Sequence, residues 1–106
     1  MWKVCVKEED RFENVEMIFP TQQRDVSVLV QKFSCIQAVQ KIIIFGSSVT
    51  SACNPWSDLD VFVVLSEEIT LHKPKLTTSV DLWTNYDVDD RLLHEITEKG
   101  VTVFER

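Results

Sequence analysis

Apolar positions along the chain change period several times, and each change marks an element. Trp2, Val4 and Val6 alternate with Lys3, Cys5 and Lys7, a period of two that predicts a short opening strand. Phe12, Val15, Ile18 and Phe19 fall at helical spacing, but Pro20 stops any such helix, so residues 1–20 read equally as a strand, a helix or an extended, partner-binding arm. Val26, Leu29, Val30 and Phe33 form an i, i+3, i+4, i+7 stripe. That stripe predicts a helix from Gln22 to about Phe33, with Thr21 as its N-cap and the apolar face against a sheet. Lys41 to Phe45 reads as a central strand ending at the turn residue Gly46, after which Ser47 and Ser48 open a short helix that ends before Asn54-Pro55.

Asp58 to Leu65 is the second central strand. Asp58, Asp60, Phe62 and Val64 alternate with Leu59, Val61, Val63 and Leu65, so one face carries charge and only at one end. Ser79 to Trp83 predicts a third strand, on which Asp81 points away from Val80 and Leu82. Asp87 or Asp89 caps a helix carrying Leu92, Leu93 and Ile96, Gly100 closes it at the C′ position, and Val101 to Phe104 forms a last short strand. The expected fold class is α/β, more narrowly α+β, with a mixed sheet packed by helices on one side. A single domain is expected over residues 1–106, with 1–20 as an arm and 41–106 as the motif-bearing core.

Composition narrows the partners. A formal net charge of -6 opposes unaided binding to a phosphate backbone, so no direct nucleic-acid partner is expected. The longest apolar runs, Ile42 to Phe45 and Val61 to Leu65, are too short to span a bilayer, and Met1-Trp2-Lys3 does not begin a signal peptide, which predicts a cytoplasmic protein. Cys5, Cys35 and Cys53 are odd in number and widely spaced, suiting reduced structural thiols better than a disulfide framework or a Cys-x-x-Cys site. Cys53, in the loop before the aspartates, has a prospect of exposure, yet Ala52 and Asn54 offer it no positive charge. His72 and His94 have no partner at ligand spacing and read as surface or helix residues.

The candidate chemistry lies between Gly46 and Asp81. Two carboxylates two residues apart on a strand point the same way about 7 Å apart by Cα. Their repulsion is then roughly 2–3 kcal/mol at an effective dielectric of about 20. No Lys or Arg occurs between Lys41 and Lys73, so local sequence offers Asp58 and Asp60 no salt-bridge partner and a divalent cation becomes the natural one. Asp87-Val88-Asp89 repeats the spacing but lacks a Gly-Ser upstream and reads as a solvated helix start. Trp56 is placed either stacking on a base or, preferably, packed over the core edge, and Trp83 on the core or sheet face.

Gly46-Ser47, ten residues, Asp58-Leu59-Asp60 in an apolar strand and a lone Asp81 in a further strand together resemble the minimal nucleotidyltransferases of the DNA polymerase β-like superfamily. The resemblance covers roughly Lys41 to Arg106 and implies a nucleotidyltransferase-type fold. It implies transfer of a nucleoside monophosphate, AMP from ATP for preference, onto a hydroxyl with release of pyrophosphate. It further implies two Mg²⁺ ions, with Mn²⁺ as a substitute, about 3.5–4 Å apart. Asp58 and Asp60 would bridge them and Asp81 would complete the shell of the ion beside the acceptor, making all three catalytic and metal-binding. Gly46, Ser47 and Ser48 would cradle the triphosphate, with Ser57 as a further nucleotide contact. Members of the superfamily commonly carry Arg and Gly where this chain has Thr50 and Ser51, which removes a cation from the phosphate side.

Few residues follow Asp81, so the acceptor site is expected to be completed by another chain, a second copy or a different protein. Stand-alone chains of this length resemble the antitoxin half of toxin–antitoxin pairs whose partner is a helical HEPN-type ribonuclease. In that reading the acceptor is a partner side-chain hydroxyl. Two alternatives stand beside it: a non-catalytic interaction module of the same fold, and a small-molecule nucleotidyltransferase, antibiotic-type, acting as an oligomer.

Overall fold

The computed structural model describes residues 1–54 and 56–106; Pro55, the expected stop after the Gly46 turn, lies outside the described residues. Four strands, β1 (Val39–Phe45), β2 (Leu59–Leu65), β3 (Val80–Thr84) and β4 (Val101–Glu105), and two helices, α1 (Gln23–Phe33) and α2 (Asp90–Lys99), carry the chain. They form one mixed sheet in the order β3-β2-β1-β4, with β1 antiparallel to both neighbours and β2 parallel to β3. The α+β class and the mixed sheet are as expected from the alternation.

The helices divide between the two faces of the sheet, which corrects the expectation that both lie on one side. Val26, Leu29 and Phe33 of α1 pack against Ile42 and Ile44 of β1 and Leu59, Val61, Val63 and Leu65 of β2. Ile96 of α2 packs against Phe45 and Phe62, with Ile43, Val64 and Leu92 around it. The reason is legible in the strand faces: β1 and β2 are apolar on both, so both need covering. On the face that α2 covers, the apolar part stops at Phe62 and the next side chain on that face is Asp60.

Local chemistry explains the remaining differences. Residues 2–6 form no strand; the segment is instead tied to α1, where Gln23 accepts from the Cys5 amide (2.6 Å) and donates to the carbonyls of Lys3 (2.8 Å) and Ile18 (3.0 Å). Val15 and Ile18 are buried beneath that arm, and Trp2 meets Phe19 edge to face at 5.5 Å. Thr21 is not a cap. It sits in a 3₁₀ turn, Pro20–Gln22, which leads into α1 without a side-chain cap. Asp89, rather than Asp87, caps α2 through the Leu92 amide at 2.7 Å. Gly100 follows α2 in an extended conformation, not a left-handed one; a side chain there would overlap the Ile96 carbonyl and Ile43 Cγ2. Cys53 is buried, whereas Cys5 and Cys35 are exposed.

Candidate functional site

The register of β1, β2 and β3 builds the site. Phe45, at the last position of β1, pairs with Asp60, and Asp60 pairs with Asp81 across the parallel β2–β3 ladder. Paired residues of neighbouring strands point the same way about 4.8 Å apart, so Asp60 and Asp81 stand side by side at the end of the face that α2 covers, beyond Phe62. Asp58 precedes β2 and is exposed, and Asp81 is exposed on the edge strand, while Asp60 is half-buried between them.

Burial, more than anything else, pushes the Asp60 carboxyl up to about 6, and the negative charges of Asp81, Asp58 and Glu95 push it further in the same direction. Every charged group that acts on it is acidic. Asp81 outweighs Asp58 in this, because the lateral pairing across the ladder is closer than the i, i+2 spacing along one strand. Glu95 was not among the residues that the sequence singled out. It lies one position before Ile96, so the packing of α2 on Phe45 and Phe62 is what carries it toward Asp60; only an i, i+3 reading from Leu92 would have raised it.

Gly46 stands directly over this carboxylate. Its φ is +75°, the left-handed region that glycine enters without strain, and a Cβ there would overlap Asp60 Oδ2. Gly46 to Val49 then make a single 3₁₀ turn, shorter than the expected helix. Ser47 is half-buried, and its carbonyl accepts from the Thr50 amide (3.0 Å) and hydroxyl (3.1 Å). Thr50 thus braces the turn at the position where the superfamily commonly carries a cation. Ser48 is 0% exposed and its hydroxyl donates to Gln22 Oε1, so its side chain points into the interior, away from where a phosphate would sit. Ser57 is half-buried, its hydroxyl accepting from the Asn54 amide at 3.0 Å.

Trp56 is 90% exposed, which corrects the expectation that it packs over the core edge. Trp83 lies on the sheet face as expected, partly exposed and paired with Phe62. His94 is exposed and meets Glu98 one turn on at 3.3 Å. Among the described residues no three His, Cys, Asp or Glu side chains stand in a ready-made metal-holding group. Asp60 and Asp81 are together, and Asp58, before the start of β2, is exposed at the rim. The donor chemistry itself fits a hard divalent cation: oxygen ligands only, only acidic groups among the charges that act on Asp60, and a glycine with no side chain to displace Asp60 Oδ2.

The family model for the nucleotidyltransferase domain matches residues 26–103. The chain belongs to this family. The nucleotidyltransferase match begins inside α1, so the helix that packs beneath the sheet is part of the shared domain. Comparison with curated protein sequences gives no match. Among solved structures, the nucleotidyltransferase resembles a chain of a toxin–antitoxin complex with AMP-PNP at 21% identity and a TM-score of 0.60, covering 76% of this chain and 71% of that one. It also resembles a chain of a doubly substituted toxin–antitoxin MntA-HpeT complex at 15% identity and a TM-score of 0.59, covering 77% and 72%. A third resemblance is to the complex of a tri-AMPylated Shewanella oneidensis HEPN toxin with its MNT antitoxin, at 17% identity and a TM-score of 0.58, covering 80% and 73%. These likenesses confirm the nucleotidyltransferase fold.

Proposed function

We propose that this nucleotidyltransferase moves AMP from ATP onto a side-chain hydroxyl of a helical, HEPN-type protein partner, as the antitoxin of a toxin–antitoxin pair. The observation that carries the reading is the lateral pair Asp60 and Asp81 beneath Gly46, a doubled carboxylate against a glycine turn. The AMP-PNP complex and the AMPylated HEPN toxin among the structural relatives favour ATP as donor and a protein as acceptor. Asp58, Asp60 and Asp81 would hold Mg²⁺, with Mn²⁺ able to replace it. Bound there, the ions supply charge stabilisation for the attacking and leaving oxygens of the displacement. Gly46 lets the backbone approach the triphosphate, and the Ser47 hydroxyl and turn amides donate to its oxygens. Asp81, exposed on the edge strand, would accept the proton of the acceptor hydroxyl.

Labelled ATP, Mg²⁺ and a HEPN-type partner provide the test. The wild type should label the partner, and Asp60→Asn and Asp81→Asn should each reduce labelling by at least about 100-fold, since displacing the reacting groups by about 1 Å already costs that much. Absence of label from the wild type ends this reading. A non-catalytic interaction module is the competing one, favoured by Thr50, whose hydroxyl braces the turn where a cation would meet phosphate. Calorimetric titration with Mg²⁺-ATP separates the two, because a pure interaction module shows no metal-dependent nucleotide binding.

A further inference from the structure

Gln22 is 3% exposed, at the junction between the Pro20–Gln22 turn and α1. Its side-chain amide meets two separate segments. The oxygen accepts from the Ser48 hydroxyl, in the turn that begins at Gly46, and the nitrogen donates to the Ser57 carbonyl at 3.2 Å, in the residue next to Asp58. The same turn is held a second time from below, where the Phe19 amide donates to the Ser48 carbonyl at 2.8 Å. Phe19 and Gln22 are joined in turn by the Gln22 amide donating to the Phe19 carbonyl at 2.9 Å.

We propose that Gln22 is a positioning residue which clamps the Gly46–Ser48 turn to the approach to Asp58, setting the phosphate side and the carboxylate side of the site at one separation before substrate arrives. Only an amide can do this. A carboxylate at the same place has an acceptor for Ser48 but no donor for the Ser57 carbonyl, and an apolar isostere has neither. Because the clamp is buried, loss of either bond leaves a polar group without water, which drives the freed segment outward rather than letting it rest in place. Ser48 therefore contributes from the interior. The inference rests on the nucleotidyltransferase reading of the site, but its exchange test does not draw on that activity.

Amide hydrogen exchange on the ligand-free protein reads the clamp. The Thr50 and Ser57 amides, bonded to the Ser47 and Asn54 carbonyls at 3.0 Å each, report on the two segments. Gln22→Leu should accelerate exchange at both, while amides within α1 and β1 keep wild-type rates. Gln22→Glu should loosen Ser57 more than Thr50, and Ser48→Ala should do the reverse; these two keep the test alive if Gln22→Leu does not fold. In steady-state transfer assays, Gln22→Glu should raise the KM for nucleotide and lower kcat/KM by about 10- to 100-fold, the usual cost of losing a group that orients ligating residues. A residue with only a structural role would lower the active fraction and leave KM unchanged. An unchanged KM, or exchange that stays at wild-type rates at both amides, overturns the proposal. A wild type without transferase activity would sink the functional reading alone, since the exchange comparison needs neither nucleotide nor turnover.

Discussion

Gly46 shows how one residue can be fixed by two independent requirements. Its φ of +75° penalises any side chain, and the space a Cβ would fill belongs to Asp60 Oδ2. Gly46→Ala should therefore destabilise the fold by about 1–3 kcal/mol through backbone strain. It should reduce nucleotide transfer far more than stability, because the methyl displaces the Asp60 carboxylate on which the proposed chemistry rests. Thermal melting and labelled-ATP transfer on the same preparation check both halves, and full activity with lowered stability would refute the close approach. The glycine was legible in sequence as a turn after an apolar strand. Its contact with Asp60 was not, since those residues are brought together only by the antiparallel register that sets Phe45 opposite Asp60.

At the scale of elements, the edge strand β3 is the weakest part of the site's support, pairing on one side only. Its start is tethered to α1 by Asp25, a buried carboxyl group that accepts from the Thr77 and Thr78 hydroxyls at 2.6 Å each. Two residues later the Ser79 carbonyl accepts from the Leu59 amide at 2.8 Å, and the parallel register that pairs Asp60 with Asp81 begins. Asp25→Ala should cost about 1–3 kcal/mol in urea unfolding, as expected for lost bonds to a buried acceptor. It should also raise hydrogen exchange at the Asp81 and Trp83 amides, which face β2, while β1 keeps wild-type rates. The apolar stripe of α1 was read correctly from its spacing, yet the buried polar set Gln22, Gln23, Asp25 and Ser27 on and beside it carried no periodic signal. Such residues have the composition of a solvated helix face, and only their partners from distant segments make them interior.

For the whole molecule, the half-buried Asp60 ties stability to pH and to cations. Its folded pKa, about 6, lies above the ordinary 3.8, so the protein binds this proton more tightly folded than unfolded. The stabilising contribution is complete below about pH 3.8 and is lost as pH rises through about 6. Ligand-free wild type should accordingly lose melting temperature relative to Asp60→Asn between pH 4 and 7, with the gap widest at and above pH 7. Mg²⁺ should restore the wild type, and only above about pH 6, where the carboxylate is free to bind it; by mass action a cation at about 100 times its Kd adds about 2.7 kcal/mol. Parallel melting curves for the two proteins, or no cation effect on either, would contradict this linkage. What the order of residues decided by itself was the four strands of the sheet, the two apolar helical faces, the Gly46 turn and the three acidic residues, because these follow from local periodicity and backbone preference. What the tertiary structure alone decided was the partnership of those pieces: a parallel β2–β3 pairing that makes Asp81, not Asp58, the nearest companion of Asp60, a second helix on the opposite face that brings in Glu95, and an interior amide at Gln22 spanning two loops. Each is a contact between residues far apart in the chain, and register and packing across a sheet leave no trace in the spacing along any one strand.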